Sequence, residues 1–136
     1  MIVLDSNAAI NIVKNTDEGK ALQALILDNE EVIAPDLFVY EVSNIVRNYI
    51  QFKNTDIKTA MDFGRNACGL VDGFVNCEDM WDEVTAEAVH NQHSSYDIFY
   101  FVLARRNNAT LFTLDKKLQE ICVKNKVNCV YLDEEF

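Results

Sequence analysis

Along the chain, short β-branched runs alternate with longer stretches in which apolar residues recur every three or four positions. "IVLD" reads as a buried strand ending in Asp5, and "EVIAP" as a second strand closed by Pro35. Between them "DEGKALQALILDN" carries Ala21, Leu22, Leu25 and Ile26 at helical spacing. After Pro35, Asp36 is placed to cap a helix through "LFVYEVSNIVRNYIQF", whose Val42, Ile45, Val46 and Tyr49 form an apolar stripe. On this amphipathic helix Phe38, Tyr40 and Tyr49 are expected in the core rather than at the surface. Thr55 or Asp56 opens a further helix, "CEDMWDEVTAEAVHNQ" is another, and "SSYDIFYFVLARRNN" a third, begun by Ser94 or Ser95 and stopped at Asn107–Asn108. A strand "ATLFTLD", a helix "KKLQEICVKNK" and a last strand "NCVYLD" complete the pattern. The alternation predicts an α/β fold: one domain over 1–136, with a central, mainly parallel sheet of four to five short strands.

Composition narrows the class. At 136 residues and 49% hydrophobic the chain can bury a proper core. No apolar run reaches membrane-spanning length and no secretory signal is visible, so a cytoplasmic protein without membrane contact is expected. Cys68, Cys77, Cys122 and Cys129 form no CxxC pair and read as reduced thiols. His90 and His93 share a helical spacing, but no Cys or carboxylate at ligand spacing completes a zinc site around them. The net charge of −10 argues against tight non-specific binding to duplex nucleic acid. It leaves open an enzyme whose carboxylates hold a divalent metal. No Lys or Arg occurs between Arg65 and Arg105, and these residues gather in the last third of the chain, where a basic rim for an anionic substrate is one reading and solvated helix faces the other.

Ligand sites of open parallel sheets lie beyond the carboxyl ends of the strands. Asp5 ends the first strand and Asp115 ends "ATLFTLD", with Thr113 two residues earlier on the same face. Asp97 falls in the first turn of its helix, and Glu41 lies early in the helix after Pro35, with Asn44 on its face. Each acid alone has a structural reading as a cap, a dipole partner or a solvated helix residue. Together at one edge, four carboxylates would repel one another unless a cation intervened. Oxygen ligands without accompanying Cys or His suit Mg²⁺ or Mn²⁺ better than zinc.

"MIVLDSN", "APDLFVYEVSNIVRN" and "SSYDIFYFVLARRNNATLFTLDKKL", in this order, resemble the PIN-domain nuclease family, most nearly the VapC-like toxins of toxin–antitoxin modules. The resemblance spans essentially the whole chain and implies a PIN-like α/β/α domain. By position, Asp5, Glu41, Asp97 and Asp115 match the family's four acids, none replaced by an amide. It implies a Mg²⁺- or Mn²⁺-dependent endoribonuclease acting on single-stranded or loop RNA. Asp5, Asp97 and Asp115 would bind metal, and Glu41 would complete the cluster or orient water. Ser6, Asn44 and Thr113 would hold those groups in place. Arg105, Lys116 and Lys117 are candidates for the RNA backbone. A homodimer, and an antitoxin covering the acidic cleft, are implied partners. The stretch between Arg65 and Asn91 aligns with no family motif.

Other classes fit less well. A phosphatase-type phosphotransfer site needs Asp two residues after its nucleophile, where this chain has Asn7. A receiver domain needs a paired acid near the first strand and a Lys ending a late strand, and neither is present. A processing nuclease without an antitoxin and a non-catalytic interaction module of the same fold remain alternatives.

Overall fold

Ile2, Val3 and Leu4 are all but inaccessible to solvent, and they form the strand on which the rest of the sheet is built. In the computed structural model residues 1–130 are described. β1 (Ile2–Leu4) is followed by α1 (Ser6–Val13), α2 (Asp17–Ala24), β2 (Val32–Pro35), α3 (Leu37–Phe52), α4 (Ile57–Gly69) and β3 (Gly73–Val75). A single 3₁₀ turn (Glu78–Met80) leads into α5 (Trp81–Asn91), then α6 (Ser95–Arg106), β4 (Thr110–Phe112) and α7 (Lys116–Lys124). The sheet has the order β3-β2-β1-β4 with every pair parallel; Val3 sits between Ile33 on one side and Leu111 on the other. A parallel sheet needs both faces covered, which explains strands that are wholly apolar rather than alternating.

Helices α1 to α4 pack among themselves, while α6 lies across β1, β2 and β4 and is flanked by α5 and α7. The apolar run of α6 is buried without interruption from Tyr100 to Ala104, so this helix is hydrophobic nearly all round and forms the centre of the core. At the other end of the domain Thr16 caps α2, and Gly19 sits so close to α1 that a Cβ there would lie 1.9 Å from the Asn11 carbonyl oxygen. Only glycine permits that approach.

Most expected elements form, with instructive differences. The helix expected over 17–29 stops at Ala24, and Leu27 is exposed. Asp36 occupies the N-cap position of α3 without accepting a capping bond; it already has helical φ and ψ, and its carboxylate lies against the Cys77 thiol. Asp56 does cap α4, through the Thr59 N–H, whereas Ser94 at the start of α6 makes no side-chain cap. The stripe on α3 holds, with Val42 and Val46 buried and Ile45 and Tyr49 packed against the core. Phe38 is core as expected, but Tyr40 is 69% exposed because it sits on the opposite side of α3 from that stripe. Two elements were not anticipated: α1, where only a capped turn was expected, and the edge strand β3. Of the expected last strand, Cys129 forms one parallel bridge to Leu111, and its remainder from residue 131 lies outside the described residues. All four cysteines are free thiols. No helix among the described residues is long and apolar enough to cross a membrane.

Candidate functional site

The order of the sheet puts β1 beside β4, and the Asp5 N–H donates to the Phe112 carbonyl at 3.1 Å. The chain segments that leave these two strands therefore start side by side. Each turns directly into a helix. Asp5 is the N-cap of α1, its Oδ1 accepting from the Ala8 N–H at 2.7 Å. Asp115 does not end β4, as expected, but stands three residues beyond Phe112 as the N-cap of α7. Its Oδ1 accepts from the Lys117 and Leu118 N–H groups at 2.9 and 3.2 Å. Thr113, fully buried, holds both segments: its Oγ1 accepts from the Asp115 N–H at 3.1 Å, and its hydroxyl bonds the Asp5 carboxylate.

α3 and α6 bring the other two acids to the same place. Asp97 lies in the first turn of α6 and Glu41 in the second turn of α3. Glu41 Oε1 accepts from the Ser6 hydroxyl at 3.3 Å and from the Tyr100 hydroxyl at 2.5 Å. The four acids interact as a chain, with Asp5 feeling the charges of both Glu41 and Asp97, and Asp97 that of Asp115. The positive ends of α1, α6 and α7 point into this group and offset part of its charge.

The offset is incomplete. Burial, reinforced by Asp97 and Glu41 and opposed by the Thr113 and Ala8 hydrogen bonds, pushes the Asp5 carboxyl up from 3.8 to about 7. Burial also raises Glu41, with the Tyr100 hydrogen bond acting against it and the charge of Asp97 adding to it. Asp97 is raised by burial, opposed by its hydrogen bond to His93, and raised further by Asp115. Tyr100 is itself raised by burial and by the Glu41 charge, which keeps its phenol a proton donor.

Of the residues expected at the site, Asp5, Ser6, Glu41, Asp97, Thr113 and Asp115 converge. Asn44, one turn beyond Glu41, is exposed and makes no hydrogen bond to the carboxylates among the described residues. Lys116 and Lys117 are exposed in the first turn of α7 beside Asp115. Arg105 is not brought near. It lies in the last turn of α6, about 12 Å of helix from Asp97, bonded to Glu83 and Glu87 at 2.8 and 3.0 Å and stacked over Phe101.

Two residues escaped the sequence reading. Tyr100 follows Asp97 by three positions and so shares its helix face, but within "IFYFVLA" it looks like core. The sequence offers His93 no carboxylate at zinc-ligand spacing; the fold supplies two, Asp97 at 2.9 Å and Asp115 at 3.7 Å from Nε2. One of those partners comes from α7, far away in sequence, so spacing could not reveal it.

The donor set fits a hard divalent cation. Neighbouring carboxylate charges of the kind that raise Asp5, Glu41 and Asp97 are what such an ion relieves, and Asp97, Asp115 and His93 each place one donor atom within 4.8 Å of the others.

The PIN-domain family model matches residues 2–124, and the chain belongs to this family, whose members are generally metal-dependent nucleases. No curated protein matches. Among solved structures, the chain is similar to PAE2754 from Pyrobaculum aerophilum, with a TM-score of 0.72 at 20% identity, covering 94% of this chain and 81% of that one. It is also similar to VapBC2 from Rickettsia felis, solved bound to a DNA fragment from its promoter, with a TM-score of 0.69 at 18% identity, covering 98% and 100%. At these identities the likeness speaks for the fold.

Proposed function

We propose that the chain is a metal-dependent endoribonuclease that hydrolyses RNA phosphodiesters. The observation that carries this reading is the convergence of the acids Glu41, Asp5, Asp97 and Asp115 where β1 and β4 leave the sheet, close enough that their charges and burial raise the carboxyls of Asp5, Glu41 and Asp97. Maintaining such a group without a cation is costly, and perturbed acids gathered in this way mark functional sites. Asp5, Asp97 and Asp115 would hold one or two ions of Mg²⁺ or Mn²⁺. When bound, the ion supplies charge neutralisation at the phosphate and a more acidic water.

The protein's own contribution is placement and proton handling. Asp5 and Asp115 each commit Oδ1 to a helix N-terminus, which fixes the direction of Oδ2. Tyr100 and Ser6 both occupy Oε1 of Glu41, leaving Oε2 to accept a proton from the attacking water. The raised pKa of Glu41 makes it a stronger base than an ordinary carboxylate. Thr113 ties Asp5 to the backbone of Asp115. For the RNA strand, Lys117 lines a polar cavity of about 530 Å³ with His90, His93 and Lys124, directly alongside Asp115.

The decisive test is cleavage of a structured RNA pool with Mg²⁺ or Mn²⁺ against EDTA, using Asp97→Asn protein prepared identically. Metal-dependent cuts absent from the variant are the expected result. Equal cutting by both proteins removes the assignment.

A toxin role with an antitoxin partner, in a cytoplasmic homodimer, is a second and narrower reading. It is supported by the likeness to VapBC2 and by an apolar groove of about 570 Å³ between α3 and α4. That groove includes Val39 and Met61, 42% and 49% exposed. A small adjacent reading frame whose product co-purifies with the chain and suppresses cleavage is the expected finding. Without such a partner, the chain is better read as an RNA-processing nuclease.

A further inference from the structure

His93 is held at the site by more than its contact with Asp97. α5 ends with Gln92 in the left-handed conformation, φ 52° and ψ 48°, and the His93 N–H returns to the Ala88 carbonyl at 3.1 Å. This is the Schellman way of closing a helix, and it fixes where the chain goes next. Two residues later α6 begins, so His93 sits in a two-helix corner with its backbone direction set on both sides. Its side chain is only 10% exposed.

The imidazole thus faces the two acids that α6 and α7 deliver. Nε2 lies 2.9 Å from Asp97 Oδ2 and 3.7 Å from Asp115 Oδ2, and one donor atom from each of the three residues falls within 4.8 Å of the others. Adjacent ligands on an octahedral ion with bonds of about 2.1 Å stand about 3.0 Å apart, and opposite ligands about 4.2 Å apart. The 2.9 and 3.7 Å separations from His93 Nε2 fall at and between these two values, so one small divalent ion can bridge the imidazole to each acid.

We infer that His93 is a metal ligand, its Nε2 completing a mixed nitrogen–oxygen site with Asp97 and Asp115 that favours Mn²⁺ over Mg²⁺. Imidazole is a poor match for Mg²⁺, which prefers oxygen and gives up its water reluctantly, and a good one for transition ions. The inference rests on the metal-nuclease reading and sharpens it, because it names which donor sets the metal preference. A histidine that merely hydrogen-bonds Asp97 predicts otherwise: its nitrogen stays outside the coordination sphere, and its loss affects both metals alike.

The test loads the full-length protein with Mn²⁺ alone and records electron spin-echo modulation from nitrogen-14, with calorimetry for Mn²⁺ and Mg²⁺ in parallel. The variants are His93→Ala and His93→Gln, the second keeping a hydrogen-bond donor for Asp97; circular dichroism verifies that each is folded. Imidazole nitrogen modulation is expected in the parent and absent from both variants. Mn²⁺ affinity should fall by about tenfold or more, while Mg²⁺ affinity changes by less than about threefold. Bound Mn²⁺ without nitrogen modulation in the parent overturns the assignment of His93 and leaves the nuclease reading standing. A folded parent that binds no Mn²⁺ at all overturns both.

Discussion

The two ends of α6 treat negative charge in opposite ways. At its last turn Arg105 and Arg106 meet the acids of α5: Arg105 bonds Glu83 and Glu87, and Arg106 bonds Glu83 at 2.8 Å. Hydrogen bonds from Arg105, then from Arg106, hold the Glu83 carboxyl below its usual range. At its first turn Asp97 meets Asp5, Glu41 and Asp115, and the carboxyls of Asp5, Glu41 and Asp97 are displaced upward. One helix therefore joins a corner where the chain neutralises its own acids to a corner where its acids meet without an Arg or Lys partner among the described contacts. The first arrangement stabilises α5 against α6. The second costs stability in the absence of metal, and such a cost is characteristic of sites kept for function.

The largest way to sharpen that contrast is to remove acids from the uncompensated corner. Asp97→Asn and Asp5→Asn are each expected to lower metal-dependent cleavage by about 10³-fold or more, the scale of losing several kcal/mol of electrostatic assistance. Asparagine is a good N-cap and can still accept from the Ala8 N–H, so the fold of Asp5→Asn is retained. Cleavage rates measured with saturating Mn²⁺, alongside circular dichroism, check both halves of the expectation.

Next in size is the pH dependence of the metal-free protein. An acid whose pKa is 3.8 unfolded and about 7 folded binds its proton more tightly in the native state. Its contribution is fully present below about pH 4 and is lost as pH rises to about 7, a change on the order of a few kcal/mol. Glu41 and Asp97, also raised, act in the same direction. In EDTA these three acids should thus make the protein melt at a lower temperature at pH 8 than at pH 5. Asp5→Asn should flatten this slope and raise Tm at pH 8. Mn²⁺ should stabilise the parent far more at pH 8 than at pH 5. A parent whose melting temperature in EDTA is highest at pH 8 contradicts the account.

A smaller effect is expected at Tyr100. Tyr100→Phe removes a donor to a charged, half-buried carboxylate, an interaction worth roughly 1.5–3 kcal/mol. Since this hydrogen bond holds the Glu41 pKa down, its loss raises that pKa further. The acid limb of the cleavage pH profile should move to higher pH, with the fold unchanged. A profile that drops in height without moving assigns Tyr100 a packing role only.

The sequence reveals the acids more readily than what surrounds them. Asp5, Asp97, Asp115 and Glu41 were legible because each sits near a recognisable start or stop of an element; the sheet rule brings Asp5, Asp115 and Glu41 to one edge, while Asp97 begins a helix that follows another helix and is placed there by the packing of α6. α1 was missed because Ala8, Ala9, Ile10 and Ile12 are all buried, which blurs the helical period in an eight-residue segment. β3 is three residues long, begins with Gly73 and lies at the sheet's edge, so neither hydrophobicity nor alternation announces it. Tyr100 was hidden in an apolar run, and His93 depends on α7 folding back to its side. Both stand within four positions of Asp97, but the contacts of Tyr100 to Glu41 and of His93 to Asp115 are tertiary and lie beyond the reach of local spacing.

The compensated corner supplies the smallest and most discriminating prediction. As a basic residue in the last third of the chain, Arg105 looked like a contact for RNA; in the structure its guanidinium is shared between Glu83 and Glu87 and covers Phe101. Its bonds are partly exposed and gain little individually, but a bidentate arrangement with packing of the stem contributes about 1 kcal/mol. Arg105→Ala should lower stability by that amount and leave both the cleavage rate and the salt dependence of RNA binding unchanged. Lys117→Ala, on the cavity beside Asp115, should do the reverse: stability holds, binding weakens, and the salt slope falls by about one phosphate contact. If Arg105→Ala weakens RNA binding as Lys117→Ala does, the two ends of α6 do not divide structure from function, and the substrate runs the length of the helix.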